Sequence, residues 1–150
     1  FAFAQTLFFI ITNPPQDTTC IFTELTLFCN RFEVTNVKTA GIITEYNPLH
    51  YGHLALIQAV RQQFGGDTAI ICAMSGDFVQ RGDFAIERAH ARAEAAVRGG
   101  ADLVLELPLP WSIASAEGFA RGGVGVLNAT GIVDTLAFGS GCGEAEKLRR

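Results

Sequence analysis

The sequence lacks the glycine patterns of the two commonest nucleotide sites. It contains no G-x-x-x-x-G-K-[ST] stretch, which excludes a P-loop NTPase. No G-x-G-x-x-G follows its first strand-like segment, which argues against a dinucleotide site of the usual kind. A nucleotide bound by this chain would therefore need a different cradle for its phosphates.

The cysteines also lack the spacing of a metal or redox motif. Cys20, Cys29, Cys72 and Cys142 include no pair separated by two residues, so neither a zinc site nor a Cys-x-x-Cys redox site is predicted. Cys72 lies in an apolar, strand-like run, which favours a small buried residue. We interpret all four as reduced thiols of a cytoplasmic protein, and we predict no metal site.

Long hydrophobic runs and a strong charge of one sign are absent as well. Residues 1 to 12 are apolar but too short to span a bilayer, and they lack the basic region and cleavage site of a signal peptide. We therefore expect no membrane partner. The net charge of −4 argues against a broad basic face for nucleic acid, although it permits a local one.

The chain divides into two parts of different character. Residues 1 to 37 show little helical periodicity and contain the Pro14-Pro15 break, so we expect an extension of unknown role. The regular pattern begins at Lys38, and we assign residues 38 to 150 to one domain. Because the chain starts with Phe and its last segment resembles the beginning of a helix, we expect a fragment whose domain is truncated at its C-terminus. The sequence does not indicate an oligomeric state.

From Lys38 onward, apolar strand-like runs alternate with helical patterns. We predict strands over 39–44, 68–74, 102–107 and 134–138, and helices over 53–64, 86–98 and 112–128, with another beginning at 144. Such alternation is typical of βαβ units, so we predict an α/β fold with a doubly wound parallel sheet. Ligands bind such sheets beyond the carboxyl ends of the strands, where the strand order reverses. In the commonest order the first and fourth strands are neighbours there, which places Gly139 opposite the loop after the first strand.

The residues GIITEYNPLHYGHL, from Gly41 to Leu54, carry the strongest functional signal. A strand, an Asn-Pro turn and the start of a helix bring His50 and His53 to a helix N-terminus. Imidazole N–H groups there can donate to phosphate oxygens, and the helix dipole adds a favourable field. Gly52 leaves room for a nucleotide to approach the backbone. The alternative is that one histidine caps the helix while the other is merely exposed.

Other polar residues follow the predicted strands. Glu45 could orient a substrate, a metal or a histidine, or simply belong to the turn. The SGDFVQRG loop after the second strand offers Ser75, Gln80 and Arg81 as contacts to an anionic substrate or RNA, although Arg81 could pair with Asp77 or Asp83 instead. Arg92 could extend an anion or RNA surface, or belong to a solvated helix face. Phe119 is interpreted as core or loop packing.

Five motifs together carry a family resemblance: GIITEYNPLHYGHL, MSGDFVQRGDFAI, GADLVLELP, SAEGFARGGVGVLN and LAFGS, in that order. They resemble the bacterial tRNA(Met) cytidine acetate ligase family, within the HIGH-type nucleotidylyltransferase superfamily. The resemblance covers about residues 38 to 142. It departs from the family pattern at Ala89 and His90, where the family has Lys and an aromatic residue, and at Gly141, where it has Glu.

The resemblance implies a Rossmann-like catalytic domain and an enzyme, an ATP-dependent ligase. Such a ligase activates acetate as acetyl-adenylate and then acetylates N4 of the wobble cytidine of elongator tRNA(Met). Mg²⁺ is the expected companion of ATP, and His50 and His53 are the expected catalytic residues. The ATP site maps by resemblance to Ile43, Thr44, Glu45, Tyr46, Asn47, Pro48, Leu49, His50, Tyr51, Gly52, His53, Leu54, Ala55, Leu56 and Gly139.

Two other functions remain open at this point. Another HIGH-type nucleotidylyltransferase could join a nucleotide to a phosphorylated small molecule. A fragment of such a protein could also bind nucleotide or RNA without catalysis.

Overall fold

A four-stranded parallel sheet with helices on both faces forms the part of the chain that the computed structural model describes, residues 37 to 139. The predicted extension up to residue 36, the helix predicted from Glu144, and Cys20, Cys29 and Cys142 lie outside the described residues. The strands are β1 (Thr39–Thr44), β2 (Ala69–Ser75), β3 (Leu103–Leu107) and β4 (Thr135–Ala137). The helices are α1 (Tyr51–Phe64), α2 (Ala89–Arg98), α3 (Leu109–Ser112) and α4 (Ala116–Ala129), and a 3₁₀ turn covers Gln80–Gly82.

The strand order is β3-β2-β1-β4, with every neighbouring pair parallel. The chain first builds outward from β1 to β3 and then returns to place β4 on the other side of β1. The predicted neighbourhood of the first and fourth strands is therefore confirmed. The order reverses between β1 and β4, and this is the position where open α/β sheets bind ligands at the carboxyl ends of their strands.

Both faces of the sheet are covered, which explains why β2 is a continuous apolar run. Ile70, Cys72 and Met74 point to one face, where they pack in a cluster with side chains of α1 and α2. Ile71 and Ala73 point to the other face and pack with residues of α4. The predicted α/β fold with a doubly wound parallel sheet is confirmed, and so is the buried position of Cys72.

Two helix boundaries differ from the prediction for identifiable reasons. The helix expected from residue 86 begins at Ala89, because the Ala89 N–H donates to the Asp77 carboxylate (2.7 Å) and the Ile86 N–H to the Asn47 side chain (2.7 Å). The helix expected over 112–128 is α4, which begins at Ala116, and the short helix α3, which was not predicted, ends at Ser112. Ser115 caps α4 by accepting from the Gly118 N–H (3.4 Å).

No helix among residues 37 to 139 is both long and apolar enough to cross a membrane.

Helix α4 packs closely against α3 at Gly122 and against β1 at Gly123. A methyl group at Gly122 would overlap the Trp111 side chain, and one at Gly123 would lie 2.5 to 2.9 Å from three side-chain carbons of Ile43. Gly125, on the exposed side of the same helix, has no such neighbour within 4 Å. The distance between α4 and the sheet therefore depends on the missing side chain at Gly123.

We expect Gly123→Ala and Gly125→Ala to change stability in opposite directions. At Gly125 the new methyl group meets nothing, so the gain in helix propensity should stabilise the protein by about 0.5–1 kcal/mol. At Gly123 it must displace Ile43, and such overpacking costs about 1–3 kcal/mol. Urea unfolding of the two variants measures the difference. Equal stabilisation by both substitutions would contradict the close packing.

Candidate active site

A cavity of about 400 Å³ opens at the carboxyl end of β1, beside the reversal of strand order. Its volume lies within the usual range of small-molecule sites. It is lined by residues 43 to 48, His50, His53, Gln80 and Phe119. Of the predicted ATP-binding residues, eight therefore line the cavity, and the remaining seven do not: Leu49, Tyr51, Gly52, Leu54, Ala55, Leu56 and Gly139.

The two histidines form a reciprocal cap at the N-terminus of α1. Nδ1 of His50 accepts from the Gly52 N–H (3.1 Å), and Nδ1 of His53 accepts from the His50 N–H (3.2 Å). The rings stack with their centroids 3.7 Å apart. Capping and cavity lining are thus combined in the same pair of side chains rather than being alternatives.

This cap determines which ring nitrogens can bind a ligand. A neutral imidazole has one N–H donor and one acceptor nitrogen. Because both Nδ1 atoms accept backbone N–H groups, the neutral rings of His50 and His53 carry their protons on Nε2. The cavity therefore has two imidazole donors beside the positive end of a helix dipole, an arrangement that suits an anion.

Burial, and secondarily the neighbouring His50, lower the pKa of His53 below its ordinary value. The lowered pKa favours the neutral ring and so preserves the hydrogen bond at Nδ1. An edge of Tyr46 packs on the same ring, with the centroids 4.9 Å apart. Tyr46 is itself buried, and its hydroxyl lies 3.4 Å from Sγ of Cys72. Burial also raises the pKa of both Tyr46 and Cys72, the latter to about 11, so neither group is an anion near neutral pH.

The loop after β1 is fastened to the loop after β2. Oε1 of Glu45 accepts from the Gln80 N–H (2.8 Å), and the Asn47 side chain accepts from the Ile86 N–H. Glu45 therefore holds a neighbouring loop in addition to lining the cavity. The hydrogen bond from Gln80 to Glu45 holds Gln80 at the cavity wall.

Arg92 does not form part of an exposed anion or RNA surface, and that expectation is wrong. Its side chain is 1% exposed. The guanidinium donates to the backbone carbonyls of Glu45, Ser75, Gly76 and Glu87, at 3.1 Å from the Ser75 oxygen and 3.0 Å from the Glu87 oxygen. The helical period places Arg92 one turn after Arg88, but α2 begins at Ala89, and Arg92 faces inward while Arg88 remains exposed.

The other expected substrate or tRNA contacts have different positions. Ser75 is fully buried, and its hydroxyl lies 3.4 Å from Arg92, so it supports the loop rather than offering a contact. Gln80 lines the cavity. Arg81 is exposed in a left-handed conformation (φ 66°), and its N–H donates to the Ala114 carbonyl (3.4 Å).

Phe119 is the cavity residue that sequence reasoning did not place at the site. It is buried, as the packing interpretation expected, but one side of it also lines the cavity. It lies in the first turn of α4, four residues before Gly123, and therefore on the helix face that contacts Ile43. The sequence does contain a signal for this position: Phe119 precedes Gly123 by four residues, so both lie on the helix face that packs closely on the sheet.

A doubly wound parallel sheet, with a His-x-Gly-His helix N-terminus lining a cavity at its switch point, defines a nucleotide-binding α/β domain of the transferase type. The family described as HIGH Nucleotidyl Transferase matches residues 37 to 150. The chain belongs to this family, and the resemblance noted in its motifs is confirmed.

Individual relatives are more specific. A tRNA(Met) cytidine acetate ligase of Acetivibrio thermocellus is 48% identical over 112 residues, which cover 75% of this chain and 27% of that protein. The protein of the same name from Clostridium acetobutylicum is 50% identical over 75% of this chain and 28% of its own length. A crystal structure of Thermotoga maritima TmcAL bound with alpha-thio ATP has a TM-score of 0.71 and 45% identity, covering 76% of this chain and 27% of that chain. The chain thus spans about a quarter of the length of the relatives it matches.

We expect Arg92→Met to destabilise the protein by about 3 kcal/mol or more, because several buried carbonyl groups lose their donor at once. Arg98→Met, on the same helix, is the matched control. Arg98 is largely exposed and pairs with Glu94 on the surface of the helix, so its loss should cost less than about 1 kcal/mol. Urea unfolding provides the comparison, and similar losses for both variants would contradict the internal role of Arg92.

We expect His50→Asn to raise the pKa of His53 while leaving it below the ordinary value. The substitution removes the contribution of His50, but burial, the larger cause, remains. An asparagine oxygen can still cap α1. The pKa of His53 is measured by NMR titration of its ring protons.

The lowered pKa of His53 in the folded protein also makes stability depend on pH. Because the folded-state pKa of His53 lies below the unfolded value of about 6.5, the stability conferred by the neutral ring is present above that pH and is lost as pH falls. The loss should be smaller in His50→Asn. An unchanged or lowered pKa of His53 in the variant would argue against the coupling of the two rings.

Proposed function

We propose that this chain carries the ATP-binding and adenylyl-transfer site of an ATP-dependent ligase. The ligase would activate acetate as acetyl-adenylate and then acetylate N4 of the wobble cytidine of tRNA(Met). The observation that carries the proposal is the pair of Nε2 donors of His50 and His53, which line a cavity at the N-terminus of α1. The named relatives, 48% and 50% identical, support the choice of acetate and tRNA(Met).

The first step requires charge stabilisation more than covalent chemistry. A carboxylate oxygen of acetate forms a bond to the α-phosphorus of ATP, the bond from that phosphorus to the bridging oxygen breaks, and the electron pair leaves with pyrophosphate. Negative charge increases on the phosphate oxygens that face His50 and His53. One preorganised donor of this kind is worth about 2.7–4 kcal/mol of transition-state stabilisation.

The proposed ATP site consists of residues 43 to 56 and Gly139, with residues 43 to 48 and the two histidines forming the cavity wall. Mg²⁺ would enter on the phosphates of ATP. Residues 37 to 139 contain no cluster of three or more His, Cys, Asp or Glu side chains able to hold a metal ion by themselves. Bound Mg²⁺ would neutralise part of the negative charge on the leaving pyrophosphate.

In the second step, N4 of the cytidine would attack the acetyl carbonyl and lose a proton to solvent, and AMP would leave with the electron pair of the broken acyl–oxygen bond. Arg81 is exposed on the loop that also carries Gln80, a residue of the cavity wall. We assign Arg81 to the side from which tRNA would approach the cavity. We place the reaction in the cytoplasm, where a tRNA substrate and ATP occur together.

The proposal predicts acetate-dependent exchange of labelled pyrophosphate into ATP. In His53→Ala the exchange rate should fall by about 10²–10³-fold, because one transition-state donor is lost. His90→Ala is the matched control, since His90 lies on α2 and is not among the cavity residues. Its exchange rate should stay within about twofold of the wild type. Exchange that requires a phosphate ester and ignores acetate would replace the proposal with the other nucleotidylyltransferase chemistry.

A further inference from the structure

The cavity has two ends that lie toward opposite faces of the sheet. His50 and His53 stand at the start of α1, the helix whose Ile57 and Val60 pack on one face. Phe119 stands in the first turn of α4, whose Leu127 packs on the other face. The end of β1 lies between them, so a ligand that touches both the histidines and Phe119 extends across the sheet edge.

In-line displacement assigns a substrate to each end. The attacking oxygen and the leaving oxygen lie on opposite sides of the phosphorus in such a transfer. This step rests on the proposed function: with the leaving pyrophosphate held at the histidines, the carboxylate attacks the α-phosphorus from the opposite side. The end of the cavity at Phe119 lies away from the histidines, toward the other face of the sheet.

The chemistry of this second end suits a small carboxylate. Ile43 and Phe119 offer apolar surface, and Gln80 offers a side-chain amide whose N–H groups can donate to carboxylate oxygens. The wall is held in place from two directions. Ile43 is pressed against α4 at Gly123, and the backbone N–H of Gln80 is fixed by the carboxylate of Glu45.

Two further contacts tie the Gln80 loop to the turn before α4. The Ser112 hydroxyl donates to the Phe78 carbonyl (2.5 Å), and the Arg81 N–H donates to the Ala114 carbonyl (3.4 Å). Phe119 and Gln80 therefore belong to one connected wall. Phe119 is only 5% exposed, so neighbouring groups surround most of its side chain.

We propose that Phe119 is the specificity-determining residue for the carboxylate, and that its ring limits the acyl chain to two carbons. At about 400 Å³ the cavity is near the lower limit for ligand sites. On this proposal, an acyl chain longer than acetyl would have to displace the Phe119 ring, which lines the same cavity as Ile43.

The test uses acyl-sulfamoyl adenosines, which are non-hydrolysable analogues of an acyl-adenylate, carrying acetyl, propionyl or butyryl chains. Binding to the protein is measured by calorimetry, so the result does not depend on turnover. One methylene group changes binding by about 10-fold or more in a fitted apolar pocket. We expect the wild type to bind the acetyl analogue about 10-fold more tightly than the propionyl analogue and about 100-fold more tightly than the butyryl analogue. In Phe119→Ala the three affinities should converge to within about threefold.

Phe119→Leu is the second variant, because it retains much of the buried volume and guards against failure of the alanine variant to fold. It should give an intermediate preference. Phe64→Ala, at the far end of α1 and outside the cavity, should retain the wild-type preference. Retention of the acetyl preference by folded Phe119→Leu and Phe119→Ala, or equal binding of all three analogues by the wild type, would overturn the role of Phe119. Binding of none of them by the folded wild type would instead overturn the proposed function.

Discussion

The hydrogen bonds of the buried Arg92 guanidinium hold the site end of this domain together. They reach the backbone carbonyls of Glu45 after β1, of Ser75 and Gly76 at the end of β2, and of Glu87 before α2. Strand ends leave carbonyl groups without a ladder partner, and burying such groups is costly unless a donor reaches them. One planar side chain with several donors satisfies carbonyls from three segments, and this fixes the loops that form the cavity.

The histidine pair shows how closely local folding and chemistry are joined in this domain. The same two Nδ1 atoms that complete the cap of α1 leave the two Nε2 positions as the donors available to a ligand. A cap formed by aspartate would satisfy the helix end equally well, but its ionised carboxylate would supply no donor. The His-x-Gly-His spacing is therefore required twice, by the geometry of the cap and by the polarity of the cavity.

Much of the fold was predictable because it depends on patterns that a sequence shows directly. The bounds of β1, the parallel sheet and the neighbourhood of its first and fourth strands all follow from apolar periodicity and from the topology of βαβ units. The start of α2 was not predictable in this way, since it depends on Asp77 and Asn47, which are distant in sequence. Periodicity also cannot tell which face of a polar helix turns inward, which is why Arg92 was misplaced. For Phe119, burial was predictable but its contact with a cavity was not.

The bond from the Asp77 carboxylate to the first amide of α2 has a consequence for motion. Helix ends are usually the first parts of a fold to open, and amide hydrogen exchange reports such fraying as a low-energy event. Here the first turn of α2 is bound to the loop that follows β2, and the same turn carries Arg92 into that region. The helix start cannot fray without releasing the cavity wall. Local opening of α2 and loss of the binding site are therefore a single cooperative event, so amides of α2 and of the cavity loops should exchange as one unit.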